Sequence, residues 1–254
     1  MKRAFILRGL ALVLALACAG CGTRSISDSG YRGGSWGHAV DDNPLYRGEL
    51  SEFEVLGIER DRPIAEGEIQ VAAKSHIRPT VAYGASVMLI QSGAMFPDEP
   101  MARALAARYA IGQFSGIPES RLPQDSAAAM AGSYAKSLRL AAARGGYDGI
   151  IAYWGVLETA QEDLAGKAIS WVPIVGSFVP DEAQRMRIRL KFAVIDVKTG
   201  HWDLYVPEPL EDDAISARLN RASSDQSQVA LLKDAAYEAA AAGLFKRCAT
   251  PPAS

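Results

Sequence analysis

The chain has 254 residues, with 27 basic and 29 acidic side chains and a net charge of −2. So mild an acidity excludes the electrostatic footprint of a nucleic-acid binder. Apolar residues make up 49% of the chain, enough to bury the core of one large domain or two small ones.

The N-terminus is basic and then apolar: Lys2, Arg3 and Arg8 precede a short run from Leu10 to Ala17. A bilayer-spanning helix needs about 20 apolar residues, so the run reads as an export signal rather than an anchor. The junction Cys18-Ala19-Gly20-Cys21 resembles the lipobox of bacterial lipoproteins, whose cysteine becomes the lipidated first residue. Ala19 and Gly20 match it, and Cys18 stands where leucine is usual. Lipidation at Cys18 instead would put the bulkier Leu16 where a small residue is preferred. Residues 1–20 are therefore expected as a signal peptide and Cys21 as the lipid-bearing residue; an ordinary cleaved signal is the alternative. Gly22, rather than aspartate, favours the periplasmic face of the outer membrane by resemblance to sorted lipoproteins. With Cys21 acylated, Cys248 is a lone thiol that cannot close an internal disulfide.

Residues 21–48 are rich in Gly, Ser, Asp and Arg and are expected to form a flexible tether with a reach of about 30 Å. A single domain is expected over 49–247 and a disordered tail over 248–254. Within the domain, 64–74 suggests a short helix despite Gly67. Ala85–Ile90 is a buried strand that stops at Gln91-Ser92-Gly93. Met101, Leu105 and Tyr109 recur at helical spacing, with Asp98 and Glu99 at the positive end. A second helix starts near Asp125 or Ser126, presents Met130, Tyr134, Leu138 and Ala141, and ends at Gly145-Gly146. Gly149–Leu157 is apolar on both faces, as a central strand is. From Arg185 to Val197 the residues alternate: Met186, Ile188, Leu190, Phe192 and Val194 on one face, Arg185, Arg187, Arg189 and Lys191 on the other. Lys198-Thr199-Gly200 turns the chain into a hairpin partner, His201–Val206. An alanine-rich helix over 227–247 packs through Val229, Leu232, Ala236 and Ala240. The expected class is α/β or α+β, helices on a mixed, largely antiparallel sheet.

This order, with Tyr147-Asp148-Gly149-Ile150 entering the central strand and Ile195-Asp196-Val197-Lys198-Thr199-Gly200 at the hairpin, resembles the envelope domain shared by the curli-export lipoprotein, the lipoprotein activators of penicillin-binding proteins and the N-terminal domain of TolB. The resemblance covers about residues 80–247. It implies a non-enzymatic component that binds envelope proteins or itself, and supplies no catalytic residue.

Gly33-Gly34-Ser35-Trp36-Gly37 matches the nucleophile-elbow pattern, but that chemistry needs a strand–turn–helix around the serine, and this segment has neither flank. His38, His76 and His201 are far apart and without metal-ligand spacing, and no phosphate-cradling loop occurs, so no catalytic residue, metal or cofactor is expected. The basic stripe Arg185, Arg187, Arg189 and Lys191 suits an anionic partner, or else pairs with Glu158, Glu162 and Asp163 on a neighbouring strand. Ile169–Pro180 is expected as an apolar loop, because Pro173, Gly176 and Pro180 disfavour a continuous helix or a central strand; its Trp171, Ile174, Val175 and Phe178 either cover the core or form an interface. The expected function is a membrane-anchored accessory or assembly lipoprotein, its partners the membrane and an envelope protein or a second copy. The alternatives are an envelope hydrolase acting on peptide or cell-wall material, and a passive structural or stress-related lipoprotein.

Overall fold

The computed structural model describes residues 25–27, 46–59, 62–118, 124–162, 169–173, 186–211 and 225–249. In chain order these form α1 (Glu52–Leu56), α2 (Glu66–Lys74), β1 (Ser86–Gln91), α3 (Glu99–Ala106), β2 (Ala110–Phe114), α4 (Gln124–Arg144), β3 (Gly149–Glu162), β4 (Ile169–Pro173), β5 (Met186–Asp196), β6 (Trp202–Tyr205), β7 (Leu210–Glu211) and α5 (Asp225–Ala249). The strands make one mixed sheet in the order β2-β1-β3-β5-β6, with β4 added to β3 and β7 to β5. Only β1 runs parallel to its neighbours, β2 and β3; the other pairings are antiparallel. The expected α/β class with a mixed, largely antiparallel sheet is the observed one.

β1 is apolar on both faces because helices cover both. Val87, Leu89, Ile151, Tyr153, Leu190 and Phe192 pack under α3 (Met101, Leu105) and α5 (Leu232, Ala236, Tyr237, Leu244). Met88, Ile90, Ile150, Ala152, Ala193 and Ile195 pack under α4 (Leu138, Ala142) and Val55 of α1. The alternation read in β5 holds from Met186 to Leu190, with Arg187 partly buried and Arg189 exposed on the face opposite the core residues; from Phe192 to Ile195 both faces are buried.

The two sequence motifs at strand ends are turns. The Asp148 carboxylate accepts from Ser86 N at 3.1 Å as the chain enters β3. Asp196 Oδ1 accepts from Thr199 N and Thr199 Oγ1 at 2.6 and 2.9 Å, and Gly200 takes φ +77°, a left-handed conformation that favours glycine. Gly146, with φ +75°, ends α4 as its sequence suggested.

Four expectations are corrected. The tether is not free throughout: Ile26 N donates to Gly155 O at 3.0 Å, Ser25 bridges Val156, and Ile26 is buried. Ile26 is the one aliphatic between Gly22 and Gly37, and docking removes it from water. The rest of 21–45 lies outside the described residues. Cys248, which a domain boundary at 247 left in the tail, lies at a helix end, in the last turn of α5, and is buried against the core rather than frayed. The start of the apolar stretch, 169–173, is strand rather than loop; its terminal proline costs nothing at a sheet edge. Finally, Tyr109 falls beyond the end of α3, although it is buried as its spacing implied.

Candidate functional site

In open α/β sheets ligands bind beyond the carboxyl ends of parallel strands where the chain direction switches. Here that position is the end of β1, from which the chain passes through α3 to β2 on one side, while β3 lies on the other. β1 ends at Gln91, opposite Tyr153, but β3 continues to Glu162. Beyond β1 the same edge of β3 is taken first by Ser25 and Ile26, then by β4.

Below the docked segment lies a buried polar cluster. Gln91 Nε2 donates to Ser27 Oγ at 3.0 Å, and Gln91 Oε1 accepts from the Tyr153 hydroxyl and from Asp98 N at 2.6 Å. Asp98, the N-cap of α3, receives Lys233 Nζ and the Tyr237 hydroxyl on Oδ2, each at 2.6 Å. Lys233 Nζ also reaches Ile26 O at 3.3 Å. Ser27 Oγ donates to Ser92 O, and Ser92 Oγ accepts from Leu50 N at 2.7 Å. The cluster thus ties the docked segment, β1, β3, α3 and α5 into one network.

A Lys–Tyr–Asp grouping could in other settings move protons. Burial pushes the hydroxyls of Tyr153 and Tyr237 well above the usual tyrosine range, with the Asp98 carboxylate adding to it, so both stay protonated donors. Their rings meet edge to face at 6.1 Å, and Tyr153 stacks on Phe192 at 5.8 Å. Depressions elsewhere on the surface include a groove of about 300 Å³ between α3 and α5, bordered by Arg103, Asp234, Glu238 and Phe245. Among the described residues no group of three or more His, Cys, Asp or Glu side chains is placed to hold a metal ion.

Of the residues singled out in the sequence, the basic stripe is largely paired within the chain. Arg187 meets Glu158, directly opposite it in the β3–β5 register, and both are nearly buried. Arg189 lies 3.5 Å from Glu158 and is half exposed. Lys191 pairs with Glu52 of α1 at 2.5 Å. Trp171 sits in β4 at the register position of Ala160. Cys21, Ile174, Val175, Phe178, Arg185 and the Gly33–Gly37 segment lie outside the described residues.

The cluster was missed in the sequence. Its one signal was Lys233 beside the packing stripe of α5, with Tyr237 one turn on; a lysine there needs a buried carboxylate. Gln91 read only as a strand terminator.

A second feature is α2. Every residue from 62 to 77 is exposed, including Ile64, Ile69, Val71 and Ile77 at 59%, 51%, 67% and 61%. Among the described residues no helix is long and apolar enough to cross a membrane.

Compared with known protein families, residues 51–247 match a family described as YafT bacterial lipoprotein. A search of curated proteins finds no match.

Proposed function

Starting from the fact that this chain belongs to the YafT bacterial lipoprotein family, we propose that it is a non-catalytic envelope component, acylated at Cys21 at the periplasmic face of the outer membrane, that binds another envelope protein or a second copy of itself. The observation that carries this reading is α2. An isolated helix of nine residues is marginal in water, because nucleation is costly and packing supplies most helical stability. This one buries no residue, yet holds Ile69 and Val71 in solvent beside the equally exposed Ile64 and Ile77. A partner that covers it gains apolar area without disturbing the core. The polar cluster supports the non-catalytic part: Gln91, Asp98, Tyr153, Tyr237 and Lys233 are engaged with one another and with the backbone, and the chain's own Ser25–Ser27 lies over them. The likeness of the 147–150 and 195–200 turns to the curli-export, penicillin-binding-protein-activator and TolB group agrees with this reading.

The test is a photo-crosslinking residue at Ile69, introduced in the full chain and irradiated in cells. A discrete crosslinked species is expected, lost in the Val71→Glu variant while the urea midpoint of that variant stays put, because the side chain is exposed. No discrete species from Ile69, or one that survives Val71→Glu, refutes the assignment.

A further inference from the structure

We propose that the docked segment 25–27 holds the folded body directly against the bilayer carrying the Cys21 lipid, with the end of the sheet around Val156 and Arg189 facing the headgroups. This rests on acylation at Cys21, as read above.

The docking is specific. Ile26 donates its N–H to Gly155, accepts Lys233 Nζ on its carbonyl, and buries its side chain to 3% exposure. Ser27 Oγ bridges Gln91 Nε2 and Ser92 O. Gly155 is required for the fit: a Cβ there would meet Ile26 Cδ1 at 2.6 Å and Leu190 Cδ2 at 2.9 Å.

Chain length does the rest. Three residues, Gly22 to Arg24, separate Cys21 from Ser25, and the four residue steps from one to the other span at most about 14 Å when fully extended. A tether free to residue 48 would reach about 30 Å and let the body swing. Direction follows from the pairing. Ser25 bridges Val156 in the antiparallel sense and Ile26 meets Gly155, so the N-terminal end of the docked segment is the one on the Glu162 side and its other end is nearer Gly149. Val156 is opposite Arg189 in the register; Arg189 is half exposed, and although one of its nitrogens lies 3.5 Å from Glu158, the rest of the guanidinium is open to lipid phosphates. The far end of the sheet is the β5–β6 turn, where Lys198 is exposed nine residues beyond Arg189, about 30 Å away at 3.3 Å per residue. The lipid end and the turn end therefore stand at different heights above the membrane.

The experiment uses the full, acylated chain reconstituted into vesicles of phosphatidylethanolamine and phosphatidylglycerol with an acceptor dye on the headgroups. Arg189→Cys and Lys198→Cys each receive a donor dye under native conditions, in which Cys248 is buried. Energy transfer at least threefold more efficient from position 189 than from 198 is expected. Inserting about twelve Gly/Ser residues between Thr23 and Arg24 adds a reach of about 20 Å without touching the docked segment, and should abolish most of that difference. Gly155→Val, which displaces Ile26, should do the same. Equal transfer from the two positions, or a difference the insertion leaves intact, overturns the apposition. A Cys21 peptide without acyl mass overturns the anchoring reading, and the apposition with it; an acylated chain with equal transfer overturns the apposition alone.

Discussion

Replacing Asp98 by Asn tests whether the polar cluster holds the fold together. The exchange keeps volume and an acceptor oxygen, so the bond from Tyr237 can persist, but the Lys233 ammonium, with its side chain 11% exposed, loses its counter-charge. Breaking a buried pair from one side costs 3–5 kcal/mol as a general range. Asp98 is 28% exposed, and solvent screening brings the expectation to the low end, about 3 kcal/mol. With a urea slope of about 3 kcal/mol per molar, the midpoint should fall by about 1 M, measured by circular dichroism on the acylated protein in detergent. Adding Lys233→Met removes the ammonium that faced Asp98 and should recover more than half of the loss, because an apolar pair of similar volume can match a buried ion pair. A shift below about 0.3 M for Asp98→Asn, or a double variant no better than the single one, would refute the claim that this pair closes α3 against α5.

Other consequences are open to direct measurement. Burial pushes the Cys248 thiol up, so the native protein should resist thiol reagents at pH 8 and react at once in urea. Cys248 and Tyr109, Tyr153 and Tyr237 all hold their protons to higher pH folded than unfolded, with burial the first cause. Their stabilisation is full at neutral pH and declines as pH rises past about 9–10, where the unfolded chain begins to release the protons; a urea midpoint that stays flat from pH 8 to 11 contradicts this. Gly116→Ala would drive a methyl into the backbone carbonyl of Gln91, a neighbour that cannot rotate away. It should cost about 1–3 kcal/mol and weaken the seat of Ser27; an unchanged melting temperature would show that the loop yields.

Much of the fold was written in side-chain periodicity. β5 and its hairpin were legible because alternation and an Asp-x-x-Thr-Gly turn leave local marks, and α5 because Val229, Leu232, Ala236 and Ala240 form a stripe that is buried as read. β2 left no mark. Ala110–Phe114 carries Gly112 and Gln113, stays largely exposed as an edge strand, and is specified by pairing with β1 rather than by its own composition. The docked segment was hidden for the same reason: three residues in a polar tract are ordered by Gly155 and Gln91, more than 60 positions away. Of the polar cluster only Lys233 and Tyr237, one turn apart on α5, left a mark in the spacing, since its members lie on five separate segments. The candidate site was thus the least legible part, because it is made by tertiary approach alone.

The hydrogen bond from Lys233 to Ile26 joins positions 207 residues apart and sets the order in which an exported chain can mature. A chain crossing a membrane N-terminus first delivers Ile26 early and Lys233 near the end. Until α5 arrives, Leu89, Ile151 and Tyr153 have lost part of their cover, and the carboxylate of Asp98 has no ammonium. A half-translocated chain therefore lacks the α5 side of its core, while the side under α1 and α4 can already close. Contacts of such long sequence separation also slow folding, because loop closure precedes their reward. Completion of this body is thereby tied to release of its last turn, and with it the moment at which residues 25–27 are clasped.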